Sequence, residues 1–133
     1  MYIDFHTHAF VDAIAERAVD KLEKIVIEAG FSERAQTRGT VAQLLERLDE
    51  WGVDRAVVLP VATKPSQQTS INSWAAEIMS DRLYCFGTVH PAAEDVMEEL
   101  ERIKSLGLKG VKLHPDYQDF FADEERMFPI YEK

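Results

Sequence analysis

The chain has 133 residues, with 24 acidic and 15 basic side chains and a formal net charge of −9. An acidic chain is a poor partner for nucleic acids or anionic membranes, because both attract cationic surfaces. Hydrophobic residues make up 46% of the chain, which favours one folded domain over a disordered protein. The single cysteine, Cys85, cannot form an internal disulfide, and no apolar run approaches the ~18 residues of a membrane helix. The first residues lack a signal peptide, so we expect a cytoplasmic protein.

Short β-rich segments alternate with longer amphipathic segments along the chain. Alternating or continuous apolar residues predict strands over residues 2–5, 55–59, 83–89 and 108–113. Apolar residues spaced by three and four predict helices over residues 12–29, 41–51, 69–80, 94–106 and 123–133. Thr40 is the expected N-cap of the second helix. Helices that alternate with buried strands imply an α/β fold with parallel strands and right-handed crossovers.

The helical patterns also predict which side chains form the core. Trp51 and Trp74 fall on apolar helical stripes, so we expect both to be buried. Cys85 lies in a predicted strand and is expected to be buried among apolar side chains rather than to act as a nucleophile. The first helix is expected to bury the stripe that consists of Ile14, Ala18, Leu22, Ile25, Val26 and Ala29.

The strongest chemical signal is the sequence His6-Thr7-His8 at the end of the first predicted strand. Alternate residues of a strand project the same way, about 7 Å apart at the backbone. Both imidazoles would therefore face one side, where they can converge on one divalent ion. Asp4 shares that face in a regular strand, opposite Ile3 and Phe5, and could orient a ligand. Two half-buried surface histidines are the alternative explanation.

Further polar residues follow the third and fourth predicted strands. Lys112 and His114 lie two residues apart on one face of the fourth strand. Lys112 could pair with a substrate carboxylate, carry a carbamate that bridges two metals, or form an ordinary salt bridge. His90 ends the third strand, where a loop histidine without a ligand role is also expected. Asp116 and Tyr117 lie in a strand-to-helix loop, where barrel enzymes place substrate groups.

All four histidines of the chain occupy one kind of position in this arrangement. Each lies at the carboxyl end of a predicted parallel strand. Parallel α/β sheets bind their ligands at that edge. The sequence therefore predicts a functional site at the carboxyl rim of the strands.

Three segments, at residues 4–8, 87–91 and 110–118, resemble the amidohydrolase superfamily. They read Asp-Phe-His-Thr-His, Gly-Thr-Val-His-Pro and Gly-Val-Lys-Leu-His-Pro-Asp-Tyr-Gln, and they resemble most the amidohydrolase-related (amidohydrolase 2) branch of metal-dependent hydrolases and decarboxylases. The resemblance implies a (β/α)₈ barrel with one or two divalent metals at its mouth, for which we predict Zn²⁺. It maps the metal-binding histidine pair onto His6 and His8. In two-metal subgroups a carboxylated lysine would lie near Lys112, and His114 carries over only as a substrate-facing group.

The length of the chain departs from this family. A full barrel needs about 250 residues, and the family takes further histidine and aspartate ligands from later strands. We therefore expect residues 1–133 to form a TIM-type (β/α)₄ half barrel, the N-terminal half of an amidohydrolase-like domain. It could be the first half of a longer protein, pair with a second copy or with a separate missing half, or be a relic without activity.

These observations predict a metal-dependent hydrolase with a small-molecule substrate. Activated water would attack an amide, ester or lactone carbon, with His6 and His8 on the metal and with Lys112 and His114 as the catalytic residues. One alternative is a metal-dependent decarboxylase of an aromatic or conjugated acid. Another is a non-catalytic half-barrel fragment or interaction module that forms an oligomer through its exposed strand edges.

Overall fold

Parallel strands form the centre of the molecule. The computed structural model describes residues 1–133, and its strands are β1 (Ile3–Thr7), β2 (Arg55–Val58), β3 (Leu83–Cys85), β4 (Gly87–Thr88) and β5 (Val111–Lys112). The order is β1-β2-β3 in one sheet and β4-β5 in a second, and every pair is parallel. The predicted parallel pairing in sequence order is therefore confirmed.

The two sheets are joined at Phe86, the one residue between β3 and β4. Its backbone N–H donates to the carbonyl of Val58 at 3.0 Å, and Lys109 donates to the carbonyl of Cys85 at 2.9 Å. The strand predicted over residues 83–89 therefore exists, but it is divided in two at this position. The sheet stays open, because β1 and β5 each pair with one strand only, and no closed barrel forms.

Helices connect β1 to β2, β2 to β3 and β4 to β5, and two short helices follow β5. They are α1 (Asp12–Glu28), α2 (Val41–Glu50), α3 (Gln68–Glu77), α4 (Val96–Ser105), α5 (Pro115–Gln118) and α6 (Phe128–Tyr131), with 3₁₀ turns at Pro65–Gln67 and Glu125–Met127. Thr40 caps α2 as predicted, since its hydroxyl accepts a hydrogen bond from the N–H of Gln43 at 3.2 Å. None of the helices is both long enough and apolar enough to cross a bilayer.

The helix predicted over residues 123–133 is reduced to the single turn of α6. Pro129 lies in the first turn of α6, and a proline is tolerated there but not in a helix interior, because it has no N–H to donate. A helix can therefore begin just before Pro129 but cannot run through it from residue 123. Proline explains the unpredicted α5 as well, since Pro115 occupies its first turn.

The core lies between the sheet and the helices. Leu48 of α2 and Ile103 of α4 pack in one cluster with the strand residues Ala56, Leu83 and Cys85. Cys85 is fully buried, as predicted.

Two predictions about buried helical side chains are wrong. Trp51 is 63% exposed, because it follows the last turn of α2 and no element covers it. In α1, Ala15 and Val19 are buried whereas Ile14 and Ile25 are exposed. The predicted stripe is therefore wrong in part: Ala29 is exposed as well, whereas Ala18, Leu22 and Val26 are partly buried. Trp74 is partly buried against the core.

Candidate functional site

A bulge in β1 sets the direction of its histidines. Between Asp4 and Thr7, β1 advances three residues while β2 advances two, from Ala56 to Val58. Residues paired side by side in a parallel sheet share a face. Asp4 therefore lies on the face of Thr7, and the prediction that it shares the face of the two histidines is wrong. Its carboxylate instead accepts a hydrogen bond from the backbone N–H of His6 at 3.0 Å.

The rings of His6 and His8 converge. Their Nε2 atoms are 3.1 Å apart, and the ring planes make an angle of 65°. Two nitrogens that bind one tetrahedral zinc at ~2.0–2.1 Å would be about 3.3 Å apart. The spacing of the pair is therefore within a few tenths of an ångström of the spacing that a shared ion requires.

A backbone carbonyl orients His8. Its Nδ1 lies 2.9 Å from the carbonyl oxygen of Leu59, which can only accept, so Nδ1 carries the proton and Nε2 presents its lone pair. Desolvation is the largest cause that lowers the pKa of His8; the bond to Leu59 opposes it, whereas His6, Lys112 and His114 lower the pKa further. A neutral ring with a free Nε2 is the form that binds metals.

Lys112 ends β5, and His114 follows it two residues later at the carboxyl end of that strand. After desolvation and His6, both lower the pKa of His8. The ring of His114 stacks on Tyr117, with centroids 4.1 Å apart and planes at 11°. Its Nδ1 is buried and has no hydrogen-bond partner. No hydrogen bond joins Lys112 or His114 to the histidine pair, and no third histidine is grouped with it. A site shared by His6, His8, Lys112 and His114 therefore stays a prediction.

His90 occupies a different environment. It is buried, its Nδ1 accepts a hydrogen bond from the backbone N–H of Ala92 at 3.2 Å, and it makes no hydrogen bond to the histidine pair. Desolvation lowers the pKa of His90, and the cation of Arg126 lowers it further. His90 therefore stabilises the turn after β4, which is the role expected of a loop histidine. Asp116 is exposed in the first turn of α5.

Buried amides at the rim were missed by the sequence analysis. Gln68, Asn72 and Gln118 are almost fully buried. Asn72 accepts from the N–H of Thr88 at 2.8 Å and donates to its carbonyl at 2.9 Å, while Gln68 accepts from the N–H of His90 at 3.0 Å. These side chains thus satisfy backbone groups of β4 and the residues after it that do not pair with a neighbouring strand. Two of them were detectable in principle, because Gln68 and Asn72 lie four residues apart on one helix face.

The chain brings two candidate metal ligands, His6 and His8, together. No group of three or more His, Cys, Asp or Glu side chains is placed to hold an ion. A catalytic zinc normally has three protein ligands and one open position. His6 and His8 would therefore fit only part of such a site, and a complete one would need ligands from elsewhere.

Comparison with known proteins gives little further information. No family model matches the sequence, and no curated protein is similar to it in sequence. One similar solved structure is described as a "probable 2-pyrone-4,6-dicarboxylic acid hydrolase" from Acinetobacter baumannii with citric acid bound. It is 22% identical with a TM-score of 0.46, and the match covers 89% of this chain and 43% of that chain. The chain thus spans less than half the length of that structure. So weak a likeness supports no conclusion about the fold or the activity of the present chain.

Proposed function

We propose that residues 1–133 are the N-terminal half of an amidohydrolase-like barrel domain and belong to a metal-dependent hydrolase of small molecules. One observation carries the proposal: the Nε2 atoms of His6 and His8 are 3.1 Å apart, and the carbonyl of Leu59 holds the other nitrogen of His8. The open sheet of parallel strands in sequence order supports a (β/α)₄ half barrel. The three motifs that resemble the amidohydrolase-related branch support the reaction class.

In this proposal His6 and His8 hold a divalent metal, for which we propose Zn²⁺. When bound, such an ion supplies Lewis-acid activation of water at neutral pH, so that an amide, ester or lactone carbon can be attacked. Lys112 and His114 are the proposed catalytic residues, because they lie at the carboxyl end of β5, as His6 and His8 lie at the carboxyl end of β1. The ammonium of Lys112 would bind an acidic group of the substrate, and the ring of His114, stacked on Tyr117, would orient it.

The remaining ligands are proposed to come from a second copy of the chain or from the missing half barrel. The edge strand β1 favours such a partner, since Ile3 and Phe5 are 48% and 67% exposed there. An unpaired strand edge with apolar side chains readily accepts another chain.

Zinc binding tests the proposal directly. Competition with a chromophoric chelator would measure the affinity of the chain, of His6→Ala and of His8→Ala. We expect each substitution to weaken zinc binding at least about 10-fold, as is typical for loss of a ligand or its support. His90→Asn is the control, because it keeps an acceptor for the N–H of Ala92 and should leave zinc affinity unchanged. Equal affinity of the wild type and of the double His6/His8 variant would contradict a metal site here.

Turnover assays on the metal-loaded assembly test the reaction class. Hydrolysis of amides, esters or lactones that is lost in Lys112→Met supports the hydrolase. Release of carbon dioxide from an aromatic or conjugated acid, without hydrolysis, would instead establish a decarboxylase.

The second candidate function is a non-catalytic interaction module. The exposed apolar side chains of Met1, Tyr2, Ile3 and Phe5 at the edge of the sheet favour it. An oligomer that forms equally well in the presence of a strong chelator and that holds no zinc would support this alternative.

A further inference from the structure

Gln118 joins the segments that follow β2, β4 and β5. Its side-chain Nε2 donates to the carbonyl of Ala62, which follows β2, at 2.9 Å and to the carbonyl of Val89, which follows β4, at 2.8 Å. Its Oε1 accepts from the backbone N–H of His114, which follows β5, at 2.8 Å. The side chain is only 2% exposed, so water cannot replace these bonds.

A primary amide suits this place because of its hydrogen-bonding capacity. Both carbonyl groups belong to buried residues, Ala62 and Val89, and an unpaired buried carbonyl is costly. The amide of Gln118 offers two N–H donors and one acceptor oxygen on a single planar group. A glutamate side chain of the same shape would offer acceptors only.

Gln118 holds both backbone groups of His114. The side chain of Gln118 accepts from the N–H of His114, and the backbone N–H of Gln118 donates to the carbonyl of His114 at 3.0 Å. The next residue back, Tyr117, carries the ring on which His114 stacks at 4.1 Å. The position of the imidazole is therefore set by α5, and α5 is tied to β2 and β4 by the amide.

We propose that Gln118 is a positioning residue that holds the ring of His114, stacked on Tyr117, at the carboxyl rim. It makes no hydrogen bond to His6 or His8 and acts through His114. The significance of His114 as a substrate-facing group rests on the proposed function, whereas the anchoring of its ring does not.

NMR of histidine-labelled protein tests the inference in Gln118→Met. Methionine has a similar length but none of the three hydrogen bonds. The ring signals of His114 carry a ring-current shift from stacked Tyr117, and we expect Gln118→Met to abolish most of that shift. The matched control is Gln68→Met, because Gln68 is also an almost fully buried glutamine, at 1% exposure, whose bonds go to His90 and Asp95. This control should move the backbone signal of His90 and leave the ring of His114 in place.

Gln118→Glu provides a second variant if the methionine variant does not fold. It keeps an acceptor for His114 and loses both donations to Ala62 and Val89, so it should also release the ring. The inference would be overturned if the ring signals of His114 in a folded Gln118 variant matched those of the wild type. It would also be overturned if Gln68→Met shifted these ring signals as far as the Gln118 variants do. Zinc titration of the same samples reports on the proposed function separately, since an absence of zinc binding leaves the NMR comparison intact.

Discussion

Nδ1 of His8 lies 2.9 Å from the carbonyl oxygen of Leu59. The two residues are about fifty positions apart in sequence, but their segments are adjacent at the rim. The carbonyl cannot donate, so this contact selects one tautomer of the ring. The Nε2 of His6 must then supply the proton of the Nε2–Nε2 hydrogen bond in the metal-free protein.

The tautomer can be observed. We expect nitrogen NMR of the metal-free chain at neutral pH to show His8 protonated on Nδ1. Zinc should change the Nε2 signals of both His6 and His8 while the proton on Nδ1 of His8 remains, because the bond to Leu59 and the ion use opposite sides of the ring. A His8 ring protonated on Nε2 before zinc is added, or zinc-induced changes confined to other residues, would contradict this arrangement.

His90 should make stability depend on pH. Desolvation, and next Arg126, lower its pKa in the folded protein, so the unfolded chain binds a proton at higher pH than the folded chain. The contribution of His90 to the free energy of unfolding is complete above the ordinary histidine pKa near 6.5. It is lost as the pH falls from that value towards the lower pKa of His90 in the folded protein. Urea unfolding should therefore show that the free energy of unfolding falls less between about pH 8 and about pH 5 in His90→Asn than in the wild type. Arg126→Gln should reduce this pH dependence less than His90→Asn does, since desolvation is the larger cause of the lowered pKa. The same pH dependence of stability in the wild type and in both variants would refute this account.

Local sequence patterns predicted most of the elements and several of their ends. The N-cap at Thr40 required only the side chain and the apolar stripe that follows it. Gly30 and Gly107 end α1 and α4 with φ of +89° and +76°, a conformation that glycine adopts without strain. Each of these features depends on residues within a few positions in the chain, so a single sequence contains the information.

The features that shape the site depend on distant partners. The bulge in β1 is defined by how β1 pairs with β2. It could not be predicted from the alternation of Asp4, His6 and His8 along one strand. The bonds of Gln118 to Ala62 and Val89 likewise join segments 56 and 29 residues away. The histidine pair was predictable because its two members are neighbours on one strand, whereas its support from Leu59 was not.

The close contact of Gly87 with Ile103 predicts a clash. A Cβ atom at Gly87 would lie 2.6 Å from Cγ1 and 2.7 Å from Cδ1 of Ile103. We expect Gly87→Ala to lower the free energy of unfolding by about 1–3 kcal/mol, and Ile103→Ala by about 2–5 kcal/mol through the cavity that it leaves. In the double variant the clash is absent, so urea unfolding should show a loss smaller than the sum by roughly 1 kcal/mol or more. Strictly additive losses would mean that the two residues do not compete for the same space.

Cys85 should be unreactive in the folded protein. The thiol is fully buried in the core, and desolvation raises its pKa to about 11, so almost no thiolate exists near neutral pH. An aromatic disulfide reagent at about pH 8 should label the native chain only as fast as it unfolds, and should label one thiol per chain immediately in denaturant. Ser32→Cys adds a thiol at an exposed position outside every helix and strand and is the control, since the added thiol should react at once in the native state. Rapid labelling of the wild type without denaturant would show that the layer between β3 and the helices opens readily, which is incompatible with the packing of Cys85 against Leu48 and Ile103 in one core.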